Sequence, residues 1–162
     1  MGFEQALWHT PQVARYVAFI ELRQSLPGRI WTISPFVDQV KRFIARFRSS
    51  DGSEVNIEFA LREALANAII HGNHEDLNKC VYEACRCSTD GEVAITVQDE
   101  GQGFDVDAVA DPTTPENLLL TRGRGIHLVK TLMDEVRFAQ GGSVVYMRKA
   151  PNARPRRGKK AA

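Results

Sequence analysis

Glu63 and Asn67 stand four residues apart in the run EALANAIIHGN, which is otherwise small and apolar. On a helix that spacing sends a carboxylate and an amide out of the same side, one turn above the other, so that both face one site. Burying such a pair is costly unless each group is hydrogen-bonded or holds a cation. The alternative is a solvent-facing pair at the margin of an apolar stripe.

Two glycine-rich clusters lie downstream. Asp99-Glu100-Gly101-Gln102-Gly103-Phe104 follows a segment of β-branched residues, which puts Asp99 at a strand end with two flexible positions after it. An aspartate there can accept hydrogen bonds from an exocyclic amine, and glycines let a ligand approach the backbone closely. A tight turn would use the same residues. The calcium-loop pattern fails, since Gly101 fills the third position, where an Asp or Asn ligand is required. Arg122-Gly123-Arg124-Gly125-Ile126 leads into a helical pattern. A glycine-rich helix start offers unpaired N–H groups and the positive end of the helix dipole to phosphates. It is neither a Walker loop nor a dinucleotide fingerprint: Gly125 is not followed by Lys and Ser or Thr, and GRGIHL lacks a third glycine at the needed spacing.

Local patterning supplies the elements that must hold these clusters. Tyr16 to Leu26 carries β-formers with partial alternation up to the break at Pro27-Gly28, and reads as a strand. Ser34 as cap and Pro35 at the first helical position introduce a helix whose apolar face is Phe36, Val37, Val40, Phe43, Ile44 and Phe47. A second helix is expected from Val55 to His71, with the stripe Ile57, Leu61, Ala64, Leu65, Ala68 and Ile69, closed by Gly72-Asn73. Strands are expected over Lys79 to Ser88 and Glu92 to Gln98, joined by Thr89-Asp90-Gly91, where Asp-Gly signals a hairpin. Gly101 to Gly123 holds Pro112 and Pro115 and shows no clear period, as a lid or binding loop would. A helix from Ile126 to Met133 follows, then a hairpin of Val136 to Phe138 with Ser143 to Met147 around Gln140-Gly141-Gly142.

Composition limits what these elements can build. At 162 residues, 43% hydrophobic and 25% charged, the chain suits one soluble domain, expected over residues 1–150. No apolar run approaches the roughly 18 residues of a membrane span, and Met1 to Thr10 lacks the basic start and apolar centre of a signal peptide, so a cytoplasmic protein is expected. Cys80, Cys85 and Cys87 are odd in number and crowded together, which argues against a disulfide framework. A zinc site would recruit His71 and His74, but there is no C-x-x-C pair, and alternating cysteines suit the core side of a strand. The net charge is +1; five of its cations, Arg154, Arg156, Arg157, Lys159 and Lys160, lie after Pro151, leaving residues 1–150 at −4. An acidic body is a poor nucleic-acid platform, and the segment 151–162 reads as a basic, disordered, solubilising tail.

The order of the three clusters carries more than any one of them. E-x-x-x-N on a helix, D-x-G-x-G after a strand and G-x-G opening another helix resemble the Bergerat-type ATP-binding fold of histidine kinases, gyrase and a class of chaperones. Within it, the chain is similar to the stand-alone anti-sigma-factor serine/threonine kinases over about Phe19 to Lys149. The resemblance implies an α/β (α+β) two-layer sandwich, a mixed or antiparallel sheet with helices on one face, and ATP held between helix and lid. It makes Glu63 the catalytic base and Asn67 the Mg²⁺ ligand that holds the triphosphate. Asp99 becomes the adenine ligand, with Gly101 and Gly103 shaping the pocket around the base. Thr121, Arg122, Gly123, Arg124 and Gly125 match the lid end that meets the phosphates. Ser143 falls where many relatives carry a threonine near the adenine aspartate. His71, one turn beyond Asn67, either lines the same pocket or caps and packs the helix end. The implied activity is phosphorylation of a protein antagonist by a homodimeric enzyme that also sequesters a sigma factor, with no membrane or nucleic-acid partner. A non-catalytic ATP-dependent regulator and the ATPase subunit of a histidine kinase are the alternatives.

Overall fold

The computed structural model describes residues 18–48, 51–105, 109 and 123–151. Five strands form one sheet: β1 (Phe19–Pro27), β2 (Cys80–Ser88), β3 (Val93–Gln98), β4 (Glu135–Ala139) and β5 (Val144–Lys149). Their order is β1-β2-β3-β5-β4, and every neighbouring pair is antiparallel. Among the described residues three α-helices accompany them: α1 (Ile33–Ile44), α2 (Ser53–Asn67) and α3 (Arg124–Leu132). No helix among the described residues is long and apolar enough to cross a membrane.

Alternation along the strands divides the sheet into two unlike faces. Val81, Cys85 and Cys87 of β2, Val93, Ile95 and Val97 of β3 and Met147 of β5 point into one core with the apolar stripes of α1 and α2. Cys85 and Cys87 are therefore small core residues, and all three cysteines are free. The opposite face carries ion pairs, Arg86 with Glu21 at 2.6 Å and Arg148 with Glu135 at 2.8 Å. A cavity of about 370 Å³ lies along β1, β2 and β3, lined by Arg23, Tyr82, Ala84, Thr96 and Gln98, and none of the site residues predicted from the sequence borders it.

Several element ends differ from the sequence pattern, each for a local reason. Thr32, not Ser34, precedes the first residue of α1, because a 3-10 turn over Ile30–Thr32 leads directly into the helix. Pro35 still lies in the first turn of α1, where helix starts tolerate a residue without an N–H. Phe47 stands beyond the end of α1 but meets Phe43 edge-on, with ring centres 5.3 Å apart. α2 starts at Ser53, where Asp51 Oδ1 accepts the Ser53 N–H at 2.9 Å.

The expected helix to His71 changes type before it ends. After Asn67 the chain widens into a π-turn over Ala68–Gly72, closed by the Asn73 N–H donating to the Ala68 carbonyl at 2.8 Å. Apolar spacing cannot reveal this, since the last buried stripe residue, Ile69, falls within the turn. β1 is described from Phe19, so the Tyr16 and Val17 part of the expected strand lies outside the described residues. α3 begins two residues earlier than the pattern suggests, with Gly123 in the left-handed conformation (φ 85°) as its cap. Most of the expected lid, 106–108 and 110–122, and the tail from residue 152 also lie outside the described residues.

Candidate functional site

α2 brings the first two predicted residues to one side of the molecule. Glu63 and Asn67 are both half-buried, and among the described residues neither side chain forms a hydrogen bond or an ion pair. The start of α3 lies directly over them. A side chain on Gly125 would strike Glu63 Oε1 and come within 3.1 Å of Asn67 Nδ2. Glycine permits that approach, which places the first N–H groups of α3 beside a carboxylate and an amide. Gly123 caps the helix and Arg124 is exposed at its first position. Thr121 and Arg122 lie outside the described residues.

Asp99 occupies the far end of the same helix-to-sheet junction. It directly follows β3, is 8% exposed, and donates its backbone N–H to the Ser143 carbonyl at 3.0 Å. Its carboxyl is pushed above the usual aspartate range by burial, opposed by the hydrogen bond from the Gly101 N–H, 2.8 Å from Oδ1. Among the described residues Oδ2 accepts no hydrogen bond. The Cα of Gly72, at the end of the π-turn, packs on this carboxylate, and a side chain on Gly101 would strike the Gly72 carbonyl. Asp99 and Gly101 are thus set against the end of the helix that carries Glu63 and Asn67.

The second glycine of the cluster is held from the other side. Gly103 lies against the Gly141 carbonyl, and the Phe104 N–H donates to that carbonyl at 2.6 Å. Phe104 then meets Phe138 of β4 edge-on at 5.9 Å between ring centres. Ser143 is buried beside Asp99, but its hydroxyl donates to the Gln140 carbonyl at 3.0 Å, and its contact with Asp99 runs through the backbone. His71 is exposed on the π-turn and makes no side-chain hydrogen bond among the described residues.

Gly72 and the Gly141-Gly142 turn belong to the site although no sequence motif singles them out. The sequence marks Gly72-Asn73 only as a helix stop and Gln140-Gly141-Gly142 only as a hairpin turn. Their role comes from what they touch, which no local pattern encodes. Chemically, the arrangement offers an acceptor at Asp99, a carboxylate and an amide at Glu63 and Asn67 with no hydrogen-bond partner among the described residues, and a glycine-opened helix start above them. Those groups suit, in that order, an amine-bearing base, a proton and a hard cation, and a chain of phosphates.

Comparison with known proteins agrees with that chemistry. Residues 26–149 match the histidine kinase-like ATPase domain family. The Anti-sigma F factor of Geobacillus stearothermophilus is 35% identical over 118 residues, 68% of this chain and 79% of the relative. That of Heyndrickxia coagulans is 31% identical over 118 residues with the same coverage, 68% and 79%. Among solved structures, a chain holding the RsbU and RsbW domains of a Mycobacterium tuberculosis protein contains this fold, with a TM-score of 0.56 and 19% identity over 82% of this chain. This chain covers 32% of that solved chain.

Proposed function

This chain belongs to the histidine kinase-like ATPase family, and from that membership we propose that it is an ATP-dependent serine/threonine protein kinase of the anti-sigma-factor type. It phosphorylates a protein antagonist and, by switching between that antagonist and a sigma factor, controls transcription. The relatives named Anti-sigma F factor support the partner class. The observation that carries the chemistry is the packing of Gly125 over Glu63 and Asn67, whose side chains have no other hydrogen-bond partner among the described residues. In this reading residues 1–150 form the ATPase domain, 151–162 form a basic tail, and the protein works as a cytoplasmic homodimer.

The residues present fit ATP and Mg²⁺. Asp99 Oδ2, without a protein partner among the described residues, is the acceptor for the exocyclic amine of adenine. Gly101 and Gly103 keep side chains out of the space beside it. The start of α3 directs its N–H groups toward phosphate oxygens. Asn67 supplies an oxygen for Mg²⁺, which when bound neutralises charge on the triphosphate. His71 and Ser143 are assigned to nucleotide binding as side walls, together with Arg124 at the start of α3 and with Thr121 and Arg122.

Glu63 takes the proton. As the serine or threonine oxygen of the partner bonds to the γ-phosphorus, the bond from that phosphorus to the β,γ-bridging oxygen breaks, and the hydroxyl proton passes to the Glu63 carboxylate. A half-buried carboxylate that accepts no hydrogen bond among the described residues is suited to receive it. Mixing purified protein and γ-labelled ATP with a candidate antagonist tests the proposal. Label on a serine or threonine of the antagonist supports the kinase, whereas ATP-dependent association without transfer would make the protein a non-catalytic regulator.

A further inference from the structure

Asn73 is 0% exposed, and both ends of its side-chain amide are used. Nδ2 donates to the Cys80 carbonyl at 2.9 Å, and Oδ1 accepts the Glu100 N–H at 2.8 Å. Glu100 completes the circuit: its Oε2 accepts the Cys80 N–H at 2.6 Å, and its Oε1 accepts the Tyr82 hydroxyl at 3.3 Å. Asn73, Cys80 and Glu100 therefore close a ring of three hydrogen bonds. The ring joins the end of the π-turn, the first residue of β2 and the residue that follows Asp99.

Two features give the ring more than a role in ending a helix. Asn73 follows Gly72, whose Cα bears on the Asp99 carboxylate. The N–H it holds, that of Glu100, lies between Asp99 and Gly101, and the Gly101 N–H in turn holds Asp99 Oδ1. The buried amide thus grips the backbone on both sides of the contact that sets the aspartate. Removing it leaves a backbone N–H and a carbonyl without partners, which the loop can satisfy only by moving.

We propose that Asn73 is a positioning residue for base selection, registering the Asp99 carboxylate against α2 and so against Glu63 and Asn67. The inference rests on the reading of this site as an ATP site. Asn73 acts through Asp99 and does not itself touch the nucleotide. Where adenine presents an exocyclic amine, guanine presents a carbonyl oxygen, which a carboxylate repels. Preference for ATP over GTP therefore reports how firmly Asp99 is held.

The test titrates ATP and GTP into the wild-type chain, Asn73→Ala and Asn73→Asp, with thermal unfolding recorded on each. Asn73→Ala is expected to lower the ATP-to-GTP affinity ratio by about tenfold or more. Asn73→Asp keeps the acceptor for the Glu100 N–H and, because burial favours its protonated form, an O–H donor toward the Cys80 carbonyl, and is expected to hold the ratio within about threefold of wild type. A purely structural role would lower the folded fraction and weaken both nucleotides alike, leaving the ratio unchanged. A folded Asn73→Ala chain with an undiminished ratio overturns the inference alone. So does a folded Asn73→Asp chain whose ratio collapses, and that variant carries the test where Asn73→Ala does not fold. A wild-type chain that binds neither nucleotide, or binds both equally, overturns the ATP reading and this inference with it.

Discussion

The Cα of Gly72 lies so close to the carboxylate of Asp99 that a methyl group at position 72 would overlap its oxygens. The contact joins the end of the helix bearing Glu63 and Asn67 to the loop bearing the base acceptor, and it has room for hydrogen only. Gly72→Ala should therefore displace Asp99, weaken ATP binding and lower stability by about 1–3 kcal/mol, as overpacking of a close contact does. Calorimetric titration and thermal unfolding on the same preparation check both effects. Unchanged values would show that the carboxylate has space to retreat.

Glu63→Gln separates chemistry from binding. The amide keeps the size and helix compatibility of the glutamate but cannot accept a proton near neutral pH. Phosphate incorporation into the antagonist should fall by roughly 10²–10⁴-fold, the usual contribution of a positioned base. ATP and the partner should still bind. Undiminished transfer would remove the base role, and loss of ATP binding together with thermal stability would make Glu63 a structural residue.

For Asn67 the metal is the diagnostic. Mg²⁺ requires near-octahedral oxygen coordination, so Asn67→Ala should weaken Mg·ATP binding far more than binding of metal-free ATP. Titrations in magnesium and in a chelator give the comparison. Equal weakening in both would mean that the amide supports the helix.

Glu83 supplies a prediction about stability. It is 3% exposed on the core face, register-paired with Gln24, and neither carboxylate oxygen nor the Gln24 amide nitrogen has a hydrogen-bond partner among the described residues. Burial, with Cys87 and Glu21 nearby, pushes its carboxyl from the usual 4.5 up to about 8. Between those values the folded chain keeps a proton that the unfolded chain has released. The associated stability is complete below the unfolded pKa and is lost as pH rises through the folded one. Glu83→Gln cannot ionise, so its unfolding free energy should approach that of the wild type at about pH 4 and exceed it at about pH 8. The gap should open by at most ~1.4 kcal/mol per pH unit. Urea denaturation across this range decides it, and parallel curves would mean that the carboxylate is solvated.

Local pattern alone determined much of this protein. The alternation of Val81, Cys85 and Cys87, the Asp90-Gly91 turn and the apolar stripe from Phe36 to Ile44 are short-range features, because side-chain periodicity follows from backbone geometry. The E-x-x-x-N spacing likewise put Glu63 and Asn67 on one helix side before any tertiary contact was known. Tertiary structure decided what those residues meet. It placed β5 between β3 and β4, turned the end of α2 into a π-turn, set Gly72 on Asp99, and laid Gly125 over Glu63. It also directed the Ser143 hydroxyl to Gln140 and buried the Glu83 carboxyl in the core with no hydrogen-bond partner among the described residues, against the usual rule for glutamate. These outcomes depend on which surfaces come together over long sequence separations. A spacing along the chain records the direction of a side chain, whereas its partner is set by the packing of the whole sheet and its helices.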